Sequence, residues 1–250
     1  MGGSLRKEAW AYGRNLRDYL LSQYSEEYGV EVPPPPATIA DELLTDFLGV
    51  TLRFDPLSLD LYAQTEWKRG KPVVTINSST HQIPGVKDPL GVQNVAKLHE
   101  AIHVARDLPG LKSGPQLPLA GIDPPFRIAC YRRAGAKNGS NVKPDPLNSI
   151  ASDTTREFWA EEAGRAAAVS HRALAMSPAF RNFVTLAPKV GRGINGEKWR
   201  LLYLAAADIG VNVSALVKQL RLEDRIVTEI EGGKTMVYGQ PLLLEVSEGS

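Results

Sequence analysis

Two of the four histidines in this 250-residue chain lie four residues apart, in the stretch NVAKLHEAIHVARDL, which runs from Asn94 to Leu108. They are His99 and His103, and Glu100 directly follows the first of them. Residues i and i+4 share one face of a helix, so both imidazoles can bind one metal ion, while Glu100 is rotated by about 100° from His99. This is the H-E-x-x-H pattern, in which two histidines bind zinc and the glutamate acts as a general base.

The residues around this pattern predict a helix over residues 92–108. Apolar residues recur there at spacings of three and four, no Gly or Pro interrupts the stretch, and Pro109-Gly110 ends it. The short H-E-x-x-H pattern also arises by chance, and the alternative is an ordinary amphipathic helix. Its position inside a regular helix favours the zinc site.

A catalytic zinc site has three protein ligands and one open position. A second long helix, predicted from Asp153 or Thr154 to Met176, offers Glu157 and Glu161, four residues apart on one face. Small residues beside them would let this helix approach the first helix closely: Ala160, Gly164 and Ala168. A solvated acidic face is the alternative, and it is preferred for Glu162.

Composition indicates a soluble globular chain of one or two domains, with 43% apolar residues, 23% charged residues and a net charge of +1. This charge predicts neither general nucleic-acid binding nor membrane binding. The single cysteine and the absence of an apolar signal segment or a long apolar run favour the cytoplasm.

The patterning predicts an α+β fold in three parts. Residues 1–36 are expected to form a helix and a proline-rich spacer. Residues 37–178 are expected to form the metal-site domain, which begins with a helix capped by Thr38 and continues with three strands within residues 50–77. This domain also contains a long insert, residues 109–150, without regular structure. Residues 179–250 add a helical subdomain and a β-hairpin around Gly232-Gly233.

Taken in order from about Thr38 to Val227, these motifs resemble the ImmA/IrrE-type metallopeptidases. The resemblance rests on TIADELLTDFLGV, VVTIN, AKLHEAIHV, a helix like the family's E-x-x-A-n-x-F-A, ALAMSP where the family often has LLMP, and LAAADIGVNVSALVKQLRLEDRIV. It implies a minimal zincin-like domain and a zinc endopeptidase. Family members typically cleave an Xre-type helix-turn-helix repressor in stress, DNA-damage or mobile-element responses, so the implied partner is a repressor encoded nearby.

The chain departs from the family pattern after the third ligand. The family glutamate is usually followed by a small residue and Asn at +3 and +4, whereas Glu161 is followed by Gly164 and Arg165. The spacing to Pro178 is about one helical turn too long from Glu161 and two from Glu157. Glu161 is therefore the preferred third ligand, with Glu157 as the alternative.

This assignment predicts a mechanism. His99, His103 and Glu161 (or Glu157) bind one Zn²⁺, and Glu100 takes a proton from the water that attacks the peptide carbonyl. A hydrogen-bond donor is also needed for the oxyanion. The candidates are His81, Tyr131 and His171, and the sequence does not choose between them.

The insert carries two further hypotheses. Its basic residues are interleaved with Phe126 and Tyr131 and could bind activating single-stranded DNA, the alternative being a solvated basic loop: Arg127, Arg132, Arg133, Lys137 and Lys143. Cys130 could be an inhibitory ligand at the open zinc position, its thiolate favoured by the neighbouring arginines. The alternative is a small buried residue.

A competing function is a DNA-binding regulator with a structural metal site. The segment LAAADIGVNVSALVKQLRLEDRIV has helix-turn-helix spacing, but only Lys218 and Arg221 are basic in the would-be recognition helix, which favours a packing role. A third possibility is an inactive relative that uses the old site to bind a partner. The complete H-E-x-x-H opposes it.

Overall fold

Helices and two small sheets form an α+β structure, as predicted; it is a computed structural model that describes residues 2–68, 71–107, 126–131 and 154–240. The helices are α1 (Gly2–Tyr28), α2 (Ala40–Glu42, continued by a π-helical turn, Leu43–Phe47), α3 (Pro89–Ile102, continued by a π-helical turn, His103–Asp107), α4 (Thr154–Ala168), α5 (His171–Met176), α6 (Pro178–Leu186), α7 (Arg192–Asp208) and α8 (Val213–Leu222). The strands are β1 (Thr51–Asp55), β2 (Leu61–Lys68), β3 (Lys71–Asn77), β4 (Phe126–Tyr131), β5 (Ile226–Glu231) and β6 (Lys234–Gly239).

The larger sheet has the order β1-β3-β2-β4, with β1 parallel to β3 and the other pairs antiparallel. The three strands predicted within residues 50–77 are present, and α3 packs on them through Ala96, Ala101 and Val104. β4 lies in the insert, so the prediction that the insert lacks regular structure is wrong for residues 126–131. The backbone of β2 supplies this segment with hydrogen-bond partners, which the insert's local composition does not reveal.

α4 packs directly against α3, and small residues make this approach possible. A Cβ atom added to Gly164 would lie only 2.7 Å from the Cα atom of His99. On the other side of α4, a Cβ atom added to Gly13 of α1 would lie 2.1 Å from the carbonyl oxygen of Ala163. The predicted close contact between α3 and α4 therefore exists, and α1 packs against the opposite side of α4.

Two helix boundaries differ from the predictions. Thr38 does not cap α2, because its Oγ1 donates to the Pro35 carbonyl at 2.7 Å and leaves the helix N-terminus without a side-chain cap. The helix predicted to reach Met176 ends at Ala168, and α5 begins anew after Ser170, whose Oγ accepts from the backbone N–H of Ala173. Serine is favoured at N-cap positions because its hydroxyl forms hydrogen bonds with nearby backbone groups, in competition with the bonds of a continuous helix.

The C-terminal helices pack around a core that includes Phe180, Phe183, Leu202 and Leu216, and β5 and β6 form the predicted hairpin. The turn between α7 and α8 rests on the start of α3. There the Asn94 side chain donates to the Gly210 carbonyl at 2.9 Å.

In the part of the chain that the structure describes, no single helix is long and apolar enough to cross a membrane. The bent pair Gly193–Asp208 and Val213–Leu222 passes such a test of length and composition only when the two are taken together.

Candidate metal centre

The imidazoles of the two histidines lie next to each other on one face of α3, as helical spacing predicts. His99 and His103 are both buried, with their Nε2 atoms 3.0 Å apart. The Asp88 side chain caps α3 by accepting a hydrogen bond from the backbone N–H of Gly91. The buried face of α3 packs on the larger sheet. The π-helical turn begins at His103, and single π turns of this kind occur often at functional sites.

Glu157 of α4 completes the cluster. Its carboxylate oxygens lie 3.4 Å from Nε2 of His99 and 3.4 Å from Nε2 of His103. Among the residues that the structure describes, these three form a group that could hold a metal ion, with ligand atoms all within 4.8 Å of one another.

The donor set fits zinc. Two imidazole nitrogens and one carboxylate are a common catalytic zinc set, and ligands at about 2.0–2.1 Å from a tetrahedral ion lie about 3.4 Å from each other. The observed contacts of 3.0, 3.4 and 3.4 Å are close to that spacing. Burial would raise the pKa of Glu157, but hydrogen bonds from His103 and His99 outweigh it and lower the pKa to about 2. The carboxylate is thus held in its ligating, ionised form.

Glu161, the glutamate that the sequence spacing favours, has other partners. It forms an ion pair with Lys218 of α8, and its Oε1 lies 3.4 Å from the Arg165 guanidinium. The structure therefore brings Glu157 and not Glu161 to the histidines. The order of preference changes because packing brings Glu157 beside His103 and the backbone of His99 against Gly164, while Glu161 is paired with Lys218.

Glu162 is not part of a solvated acidic face, so that prediction is wrong. It is buried, with a side chain 2% exposed, and its Oε2 lies 2.5 Å from Arg165 and 3.3 Å from Arg6. The Trp10 indole N–H also donates to it at 3.1 Å. Glu162 therefore anchors α1 to α4 on the side away from the histidines.

Glu100 is fully buried beside the histidines. Its Oε2 accepts a hydrogen bond of 2.5 Å from the Thr65 hydroxyl of β2, whereas its Oε1 has no hydrogen-bond partner among the described residues. Burial raises the pKa of Glu100, and the charges of His99 and His103 and the Thr65 hydroxyl act in the opposite direction. A buried carboxylate oxygen without a partner is unusual and indicates a missing water or ligand.

The other predicted site residues lie elsewhere or outside the described side chains. His81 is exposed beside Gln82, and Nε2 of His171 lies 2.7 Å from Glu223. For Arg127, Cys130 and Tyr131 only the backbone in β4 is described, with Cys130 paired to Ala63 of β2. Arg132, Arg133, Lys137 and Lys143 lie outside the described residues.

Sequence reasoning missed Thr65. Ala63 and Thr65 alternate along β2 and are both fully buried, so Thr65 is a polar residue beside the apolar cluster that contains Ala63. This interruption of the strand pattern is the signal that could have identified it.

Comparisons of the chain with protein families, with characterised proteins and with solved structures found no significant match. The geometry of the site itself therefore carries the functional argument.

Proposed function

We propose that this protein is a zinc metalloendopeptidase with His99, His103 and Glu157 as its metal ligands and Glu100 as its general base. One observation carries the proposal: the three donor groups converge beside a buried carboxylate that has one oxygen free of any described partner. A second carboxylate beside a three-ligand site, but not part of it, is what metal-assisted hydrolysis needs.

Zinc at this site would supply a Lewis acid that polarises a water molecule and the peptide carbonyl. Glu100 would take the proton from that water on Oε1 and pass it to the leaving amine. Glu157 and the two histidines would hold the ion. His81 and His171 are both engaged away from this cluster, which makes each a weak candidate for the oxyanion donor.

The substrate proposed is a helix-turn-helix repressor encoded nearby, and this part rests on the motif resemblance alone. Activation by single-stranded DNA through the basic insert, and inhibition through Cys130, are proposals of the same standing. The strand pairing supports a test of Cys130, because its backbone lies opposite Ala63, two residues along β2 from Thr65.

The decisive experiment combines metal analysis with cleavage. The purified chain should contain about one zinc, His99→Ala should lose it, and Glu100→Gln should keep it while losing cleavage of the candidate repressor. Full cleavage by Glu100→Gln would refute the mechanism. Zinc-free wild-type protein after zinc loading would refute the metal site itself.

DNA binding is the second candidate function, and one observation favours it. Helices α7 and α8 cross at 103°, within the range of helix-turn-helix motifs. However, the turn between them contacts α3, and Lys218 is paired with Glu161. Salt-dependent duplex binding that is lost in Lys218→Ala/Arg221→Ala would support this alternative.

A further inference from the structure

We propose that Thr65 is a positioning residue that fixes the orientation of the Glu100 carboxylate for proton transfer. This inference rests on the proposed function and names a residue beyond its ligands and base. Thr65 lies on β2 and Glu100 on α3, so the bond between them ties the base to a different element from the one that carries it.

The hydroxyl of Thr65 has no packing reason to be where it is. The residue is fully buried, two positions along β2 from the equally buried Ala63, and valine has the same shape without a polar group. An unsatisfied buried hydroxyl is costly, and here the cost is avoided because Oγ1 donates to Oε2 of Glu100.

The bond makes the two oxygens of Glu100 unequal. Oε2 is held by Thr65, while Oε1 has no hydrogen-bond partner among the described residues. The terminal torsion of a glutamate is soft, so an isolated carboxylate would rotate between orientations. A donor on a rigid strand removes that freedom, and accurate placement of a base is worth a large factor in rate.

The chain offers a matched control in Thr75. It is a buried threonine on the neighbouring strand β3, 5% exposed, and it pairs with Gln64 in the sheet. Among the described residues the hydrogen bond to Glu100 comes from Thr65 and not from Thr75. Thr75→Val therefore removes a buried hydroxyl from the same sheet without removing the contact to the base.

The test measures acetohydroxamate binding to the zinc-loaded full chain by calorimetry, and needs no knowledge of the substrate. A hydroxamate chelates zinc through two oxygens and gives its hydroxyl proton to a neighbouring carboxylate, so its affinity reports the placement of Glu100. Thr65→Val should keep its zinc but weaken hydroxamate binding by roughly 10–100-fold, the range of residues that act through a neighbour. Thr65→Ser should restore most of the affinity, and Thr75→Val should bind like wild type.

A double-mutant cycle separates positioning from general structural damage. In a Glu100→Gln background, Thr65→Val should cause no further loss, because Thr65 acts only through Glu100. Wild-type hydroxamate affinity in Thr65→Val, or an equal loss in both backgrounds, would overturn the inference and leave the proposed function standing. Wild-type protein that binds no zinc, or Glu100→Gln that binds hydroxamate normally, would overturn the proposed function and this inference with it.

Discussion

At the scale of single residues, the candidate centre combines three side chains of one helix, α3, with a carboxylate that reaches them because α4 packs against α3. His99, Glu100 and His103 are fixed relative to one another by the helical repeat. Glu157 enters from α4, and its ionised carboxylate lies 3.4 Å from Nε2 of each imidazole. Glu161, one turn further along, is neutralised by Lys218 and Arg165 instead.

This division predicts different effects of removing the two glutamates. Glu157→Ala should abolish tight zinc binding, because it deletes one of the three proposed ligands. Glu161→Ala should weaken zinc binding less, by at most roughly 10–100-fold, since it changes only the surroundings of the ligands. Competition with a chelator of known affinity measures both, and the reverse order of effects would mean that Glu161 is the ligand.

The sequence could predict the grouping of His99, Glu100 and His103 because their relation is local. It ranked Glu161 before Glu157 from the spacing to Pro178, whereas the structure brings Glu157 to the histidines, because the choice depends on how α4 packs against α3. Thr65 was missed for the same reason: its partner lies 35 residues away, on another element. Glu162 was misjudged because, besides the local partner Arg165, it is covered by Arg6 of α1, which reaches it only in the folded structure.

At the scale of elements, the centre depends on how closely α4 approaches α3. The local patterns predicted these elements and the small residues between them. They did not predict β4, which depends on pairing with β2, or the break after Ala168, where the Ser170 cap outweighs the helical tendency of the alanine-rich sequence. Contacts between distant segments therefore determine the secondary structure where local propensity does not.

Gly164→Ala tests this close approach. Its Cβ would lie 2.7 Å from the Cα of His99, and since backbone cannot yield like a flexible side chain, α4 must move away. We expect a loss of roughly 1–3 kcal/mol in the free energy of unfolding, together with weaker zinc binding.

The matched control is Gly196→Ala in α7, where an added Cβ meets nothing within 4 Å. It should stabilise the protein by roughly 0.5–1 kcal/mol and leave zinc binding unchanged, because alanine favours helices more than glycine does. Unfolding by denaturant measures both variants. A Gly164→Ala protein as stable as wild type, with normal zinc affinity, would show that the helices are not held at this distance.

At the scale of the whole molecule, Glu223 joins three helices. Its side chain is 7% exposed and lies 2.5 Å from Arg14 of α1 and 2.7 Å from His171 of α5, while Gln219 of α8 donates to it at 2.8 Å. Burial would raise the pKa of Glu223, but its hydrogen bond with His171, and then the contacts with Gln219 and Arg14, lower it to about 2.

A lowered pKa makes stability depend on pH in one direction. The unfolded chain binds the proton near the ordinary value of 4.5, so the contribution of Glu223 is complete above that pH and is lost as the pH falls toward about 2. Glu223→Gln should lower the free energy of unfolding by about 3 kcal/mol at neutral pH and by progressively less in acid. Urea unfolding between pH 7 and pH 2 measures this gap, and a gap independent of pH would contradict the assignment.

Zinc should also stabilise the whole fold, because its proposed ligands come from α3 and α4. A ligand present at 1,000 times its Kd raises the free energy of unfolding by about 4 kcal/mol. Treatment with a chelator should therefore lower the Tm of the wild type by several degrees. His103→Ala, which lacks a ligand, should show no such change, and an equal shift in this variant would place the stabilising metal elsewhere.

The contact between Arg14 and Glu223 spans 209 residues of chain. During synthesis, α4 can pack against α1 before Lys218 and Gln219, its partners in α8, have been made. The turn at Gly210, which rests on α3, is equally late. A nascent chain that has not yet reached α8 therefore lacks contacts that brace the two helices of the candidate metal centre, and we expect it to bind zinc more weakly than a chain that includes them.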